Sequence, residues 1–123
     1  MVKLGDFGLA VQLEHSCSKR NTVCGTSLFM APEVYKEGAC LKSDVWSLGI
    51  SVIEMAEAKN PFADCNSYQV MNRVMNMPPP SLSSSGWSSD LVDFVSVCLV
   101  KEVEKRASVE DLMEVPFLLS YDV

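Results

Sequence analysis

The run Asp44-Val45-Trp46-Ser47-Leu48-Gly49-Ile50-Ser51-Val52-Ile53-Glu54-Met55-Ala56 constrains this chain more than any other stretch. At helical spacing its apolar residues cover almost the whole circumference, interrupted only by Asp44, Ser47, Ser51 and Glu54. A helix apolar all round lies inside a protein or inside a membrane. At about a dozen residues the run is shorter than the ~20 of a bilayer span, and it carries carboxylates. The pattern therefore predicts a buried helix of a globular domain, with the other segments packed around it. Ser43 is placed to cap its start, where the Asp44 carboxylate meets the positive end of the helix dipole. Ser47, Gly49 and Ser51 are small enough to admit close neighbours.

A chain of 123 residues supplies one domain or part of one, and 48% hydrophobic content suffices for a packed core. The formal net charge of -6, from 10 basic and 16 acidic residues, argues against nucleic-acid binding and against docking on an anionic membrane. The cysteines (Cys17, Cys24, Cys40, Cys65, Cys98) are odd in number and form no C-x-x-C pair. With no signal peptide at the start, the expectation is reduced thiols in the cytoplasm. His15 stands without ligand partners at metal-binding spacing, so no metal-histidine site is expected.

Along the chain, Val2, Leu4, Leu9, Val11 and Leu13 alternate weakly around Gly5-Asp6-Phe7-Gly8. This predicts two short strands flanking a turn that holds Asp6. Residues 14–28 are polar, rich in Ser and Thr and aperiodic, and read as a long loop of the functional kind. Pro32 opens a short helical turn. Ser67–Asn76 is a helix with Tyr68, Met71, Val74 and Met75 on one side, stopped by Pro78-Pro79-Pro80. From Ser88 or Ser89 an amphipathic helix carries Leu91, Phe94, Val95, Cys98 and Leu99 at helical spacing. A last helix starts at Ser108, with Asp111 as a shorter stand-in for a capping-box Glu, and Pro116 ends it. The fold expected is mainly α: a short hairpin-like segment, then about five helices around the buried central one.

Three signatures occur in a fixed order: Asp6-Phe7-Gly8, then Met30-Ala31-Pro32-Glu33, then Asp44-x-Trp46-x-x-Gly49. A D-F-G tripeptide alone says little. D-F-G followed about 25 residues on by A-P-E, with Ser and Thr between, is the end of the protein-kinase signature set. Gly25-Thr26 before Met30 and Lys105-Arg106 before the last helix fit the same pattern. The chain thus resembles the C-terminal lobe of a eukaryotic protein kinase over residues 1–118, with 119–123 as a tail. Within kinases it is most similar to the sterile-twenty group of serine/threonine kinases, on the germinal-centre, Hippo-like branch. The residues that carry this are Lys19–Thr26, Met30–Val34, Glu54–Glu57, Pro78-Pro79-Pro80, Cys98–Lys101 and Pro116-Phe117. It departs from that group after Gly25-Thr26, where Ser27, Leu28 and Phe29 replace the usual proline, aromatic and tryptophan. Those positions shape the substrate pocket, so substrate preference does not carry over.

The resemblance implies roles for particular residues. Asp6 would hold Mg²⁺ bridging the ATP phosphates, with Phe7 and Gly8 completing the nucleotide-side turn, because a hard cation takes carboxylate oxygen. The plain alternative for Asp6 is a turn aspartate. Thr22 would be the activation-loop phosphosite, whose added charge orders the loop against Arg side chains. Lys19 and Arg20 are near it, or simply solvate the loop. Thr26 would position the substrate hydroxyl, with Gly25, Ser27, Leu28 and Phe29 lining the pocket. Glu33 and Arg106 would form a buried ion pair, and Asp44 would accept backbone N–H groups of the catalytic loop. Met71, Met75 and Met77 fill gaps in the core or form an adaptable docking face.

The Gly-rich loop, the strand lysine and H-R-D-x-K-x-x-N of a working kinase do not occur in this sequence. Met1 falls where the family is mid-domain, and the catalytic Asp is missing. The expectation is a chain that binds no cofactor by itself, derived from a parent that uses ATP and Mg²⁺, phosphorylates protein substrates and answers to an upstream activating kinase. The helix that normally packs beside Asp44–Ala56 is also missing, which should leave an apolar patch exposed. The alternative is a non-catalytic module that holds a partner, or competes with a full kinase, through 67–77 and 88–100.

Overall fold

The computed structural model describes residues 1–13, 27–83 and 85–120. Its regular elements are almost all helical. A 3-10 turn, Ser27–Phe29, leads into α1 (Pro32–Lys36), α2 (Ser43–Glu57), α3 (Ser67–Asn76) and α4 (Ser89–Cys98). A second 3-10 turn, Val103–Lys105, precedes α5 (Val109–Met113) and α6 (Pro116–Leu119).

α2 is the axis. Val45, Trp46, Ile50 and Ile53 are buried to within 2% exposure, each contributing about 1.5–3 kcal/mol of hydrophobic stabilisation. Gly49 is where α4 crosses: a Cβ there would stand 2.8 Å from Cys98 Cβ and from Leu99 Cδ2. The small residue sets the approach of the two helices. Phe94, Val95, Cys98 and Leu99 of α4 and its end, with Val70 and Val74 of α3, complete the core. Phe117 of α6 packs its ring 5.2 Å from that of Phe94.

Local chemistry accounts for most boundaries. Asn66 and Gln69 form a reciprocal capping box on α3, as Ser108 and Asp111 do on α5. The Ser108 bonds hold the Asp111 carboxyl below its ordinary pKa. Ser88 caps α4 through the Leu91 N–H. Lys101 closes α3 from outside, donating from Nζ to the Met75 and Met77 carbonyls at 2.9 and 3.0 Å. Glu57, at the end of α2, accepts from both the N–H and the hydroxyl of Ser83, which anchors the loop after the three prolines.

Four sequence expectations need correction. Residues 2–13 form no strands: the segment has one turn at Gly8–Leu9, closed by the Ala10 N–H on the Phe7 carbonyl at 3.0 Å. Val2 and Leu4 are 97% and 88% exposed, and an isolated two-stranded hairpin with no surface to pack on is marginal in water. Ser43 is not the cap of α2, which Lys42 occupies without a side-chain bond; Ser43 lies inside the helix and turns its hydroxyl elsewhere. α3 buries Val70 and Val74 and leaves Tyr68 71% exposed, so its inner face is rotated from the one expected. Pro116 ends α5 and at once opens α6, because a proline is accommodated at a first helical position. On α2 itself, Leu48 and Met55 stand 41% and 75% exposed.

Candidate functional site

Two buried charges hold together the segment that runs from Ser27 to Lys36. Arg106 donates from Nη1 to Glu33 Oε2 and from Nη2 to Glu33 Oε1, both at 2.8 Å. The pair is sealed from solvent, with side-chain exposures of 0% and 5%. The guanidinium is otherwise saturated: Nη1 also donates to the Lys42 carbonyl at 2.9 Å and Nε to the Val100 carbonyl at 2.8 Å. Its plane lies 5.3 Å from the Trp46 ring, a cation–π contact inside the core. Burial by itself raises the Glu33 pKa, but hydrogen bonds from Arg106 and Ser43 and the Arg106 charge outweigh it, so the carboxyl stays below its usual value.

The next layer is built by serines of α2. Ser43 donates to Glu33 Oε2 at 2.6 Å, and Ser47 donates to the Phe29 carbonyl at 2.7 Å. Ser51, one turn further, bonds among the described residues to its own helix at the Ser47 carbonyl. On the other side of the 3-10 turn, Tyr35 reaches the Ser27 carbonyl at 3.4 Å and the Ser27 and Ser67 hydroxyls lie 3.5 Å apart. Leu28, Phe29 and Met30 are half-buried against the core. The turn expected to line a substrate pocket thus rests on α1, α2 and α3 together.

The remaining predicted residues stand apart from that cluster. Asp6 is exposed and holds φ at 62°, a left-handed conformation that L residues other than Asn and Asp rarely adopt. Gly8, two residues on, has no positive φ. Phe7 is 66% exposed. Asp44 is exposed as a residue, yet neighbouring protein raises its carboxyl pKa by burial, an effect its exposure keeps small. Thr22, Gly25 and Thr26, with Lys19 and Arg20, lie outside the described residues.

As a metal donor, Asp6 would supply a hard carboxylate in the open, a donor type that fits Mg²⁺ because that ion takes one or two carboxylates together with phosphate oxygens and water. Among the described residues no group of three or more His, Cys, Asp or Glu is arranged to hold a metal by itself. Among the same residues no helix is long and apolar enough to cross a membrane.

Sequence reading missed the off-helix hydroxyls of Ser43 and Ser47, and the part played by Lys42, whose carbonyl accepts from Arg106 while its Nζ donates to the Val103 carbonyl at 3.1 Å. The four-residue spacing of Ser43, Ser47 and Ser51 in an otherwise apolar helix was the available signal. Trp46 is also less simple than a core tryptophan. Its buried Nε1–H has no acceptor among the described residues, an omission that costs about 1–3 kcal/mol.

The protein kinase domain family model matches residues 1–118 of the chain. The chain belongs to the protein kinase domain family. That membership makes it a kinase by descent, of a family that acts on protein substrates and generally uses ATP and Mg²⁺.

Proposed function

We propose that this chain is the C-terminal lobe, from D-F-G onward, of a serine/threonine kinase of the sterile-twenty group, whose parent transfers the ATP γ-phosphate to protein Ser or Thr. The observation that carries the reading is the Glu33–Arg106 fork together with the family match. It roots the A-P-E end of an activation segment in the helical core, where a pocket for a peptide must stay fixed while the loop before it changes state.

On this reading Asp6 holds Mg²⁺ against the nucleotide phosphates, and Thr22 receives the activating phosphate from an upstream kinase. Thr26 positions the substrate hydroxyl beside Ser27, Leu28 and Phe29. Asp44 fastens a catalytic loop by accepting its backbone N–H groups. Its raised pKa, and the Trp46 Nε1–H two residues on, which has no acceptor among the described residues, support a further polypeptide segment seated on that end of α2. The free thiols of Cys40, Cys65 and Cys98 suit a reducing, cytoplasmic setting. The exposed faces of 67–77 and 88–100 are the proposed docking surfaces.

The 123 residues by themselves are proposed to be inactive, since phosphoryl transfer is almost entirely positioning and electrostatics and most of those parts are not in this sequence. Two measurements test the reading. The isolated chain is expected to show no thermal shift with Mg·ATP, and a clear shift overturns the claim of inactivity. The longer protein that carries this sequence is expected to phosphorylate Ser/Thr peptides and to bear phosphate on Thr22 when active. Transfer to tyrosine alone, or repeated absence of Thr22 phosphate from active enzyme, overturns the corresponding part.

A further inference from the structure

Within the kinase reading proposed above, on which this inference rests, we propose that Ser47 is a positioning residue for the peptide substrate: its hydroxyl pins the Phe29 carbonyl and so fixes the pocket-lining turn on α2.

Three observations meet at this atom. Ser47 Oγ lies 2.7 Å from the Phe29 carbonyl and 3.3 Å from the Ser43 carbonyl of its own helix. A hydroxyl has one proton, and the shorter, off-helix contact takes it. Among the described residues the Phe29 carbonyl accepts from no backbone N–H, so Ser47 is its partner. Among the described residues the other side-chain hydrogen bonds to the turn, Tyr35 to the Ser27 carbonyl at 3.4 Å and Ser27 to Ser67 at 3.5 Å, are at the weak end of hydrogen bonding, as is the turn's own Met30 N–H to the Ser27 carbonyl at 3.3 Å. The shortest hydrogen bond that holds the turn is therefore the one from α2.

The geometry is that of a two-pin attachment. Ser43 and Ser47 are four residues apart on α2, about 6 Å along the axis. Their acceptors, Glu33 and Phe29, are four residues apart in the opposite chain direction. The first pin belongs to the buried charge cluster and keeps the fold; the second reaches the turn without contacting that pair. Serine is a poorer helix former than alanine, so a serine at position 47 is best accounted for by the bond it makes off the helix. Losing that bond frees the Phe29 peptide to rotate, which moves Leu28 and Phe29 without loosening Glu33–Arg106.

The test is steady-state kinetics of the full-length kinase carrying this sequence, with Ser47→Ala and Ser47→Thr, varying peptide and ATP separately. Removing one neutral hydrogen bond should raise the peptide KM about 5- to 10-fold in S47A. The KM for ATP should not move, and S47T, which keeps the hydroxyl, should restore the peptide KM. A peptide KM in S47A within twofold of wild type, an equal rise in both KM values, or no rescue by threonine would each overturn the inference and leave the kinase reading intact. A wild-type enzyme silent towards every Ser/Thr peptide overturns the kinase reading and this inference with it. Should S47A not fold, Ser47→Cys carries the same comparison with a weaker donor, and the same outcomes decide.

Discussion

Residues 1–13 and the helix α2 are built from similar apolar side chains, and their fates are opposite. Val2, Leu4 and Val11 are 97%, 88% and 55% exposed, whereas Val45, Ile50 and Ile53 are within 2% of full burial. The difference lies in the backbone. A helix satisfies its own N–H and C=O groups and needs neighbours only for its side chains, while a strand needs a partner for both. α2 is given those neighbours by α4 and the Ser27–Phe29 turn; the segment around Asp6 has no comparable surface among the described residues. Apolar patterning becomes structure only where something is available to cover it.

Four experiments sharpen or break that contrast. The largest effect is expected at the charge cluster that anchors the covered region. Arg106→Met leaves Glu33 buried and unpaired, and denaturant unfolding should show a loss of about 3–5 kcal/mol. A loss below about 1 kcal/mol would mean that the pair is open to water in solution.

Next comes the direct comparison of the two regions. Ile53→Ala should cost about 2–5 kcal/mol, and the pair Val2→Ser, Leu4→Ser within about 0.5 kcal/mol of nothing. Comparable losses in both would show that residues 1–13 are packed in solution. Gly49→Ala follows, at about 1–3 kcal/mol, because the new methyl meets Cys98 and Leu99 at 2.8 Å and forces α2 and α4 apart. The alanine is the better helix former by about 1 kcal/mol, so a neutral result would mean that α4 yields easily.

The smallest effect is in the titration of the two carboxylates. Glu33 has its folded pKa below the unfolded one, about 4.3, so its stabilisation is complete above that value and is lost as pH falls through the folded pKa. Asp44 has the opposite sign. Burial raises its folded pKa, so its penalty is absent below the unfolded pKa, grows as pH rises above that value and is complete above the folded pKa. Asp44→Asn should therefore be slightly more stable than wild type at pH 7, within about 0.5 kcal/mol, and the difference should close below pH ~4. A D44N chain that is less stable at pH 7 would show that favourable interaction with the helix N-terminus outweighs desolvation.

Much of the fold was legible because its signals are local. The spans of α3 and α4, the start of the last helical region at Ser108 and the position of the buried helix all follow from apolar spacing and caps that operate within four residues. The hairpin around Asp6 was misread because alternation reports what a strand would bury, not whether a partner exists. The rotated face of α3 and the true task of Ser43 were illegible for a related reason. Each depends on which neighbour arrives from elsewhere in the chain.

The site divides along the same line. The pairing of Glu33 with Arg106, 73 positions apart, was implied by the kinase resemblance and not by any local pattern around either residue. Which serines of α2 leave their own helix, and where they attach, was decided only when the Ser27–Lys36 segment came to lie across that helix. The chain's own sequence determined an α2 that must be buried and the caps that start its neighbours, and its kinase resemblance implied the charges that meet. Tertiary structure alone decided the hydrogen bonds of Ser43 and Ser47, the covering of Trp46 by Arg106 and the exposure of residues 1–12. Apolar period and capping act over one or two helical turns, whereas a long-range hydrogen bond exists only after distant backbone has been brought within about 3 Å.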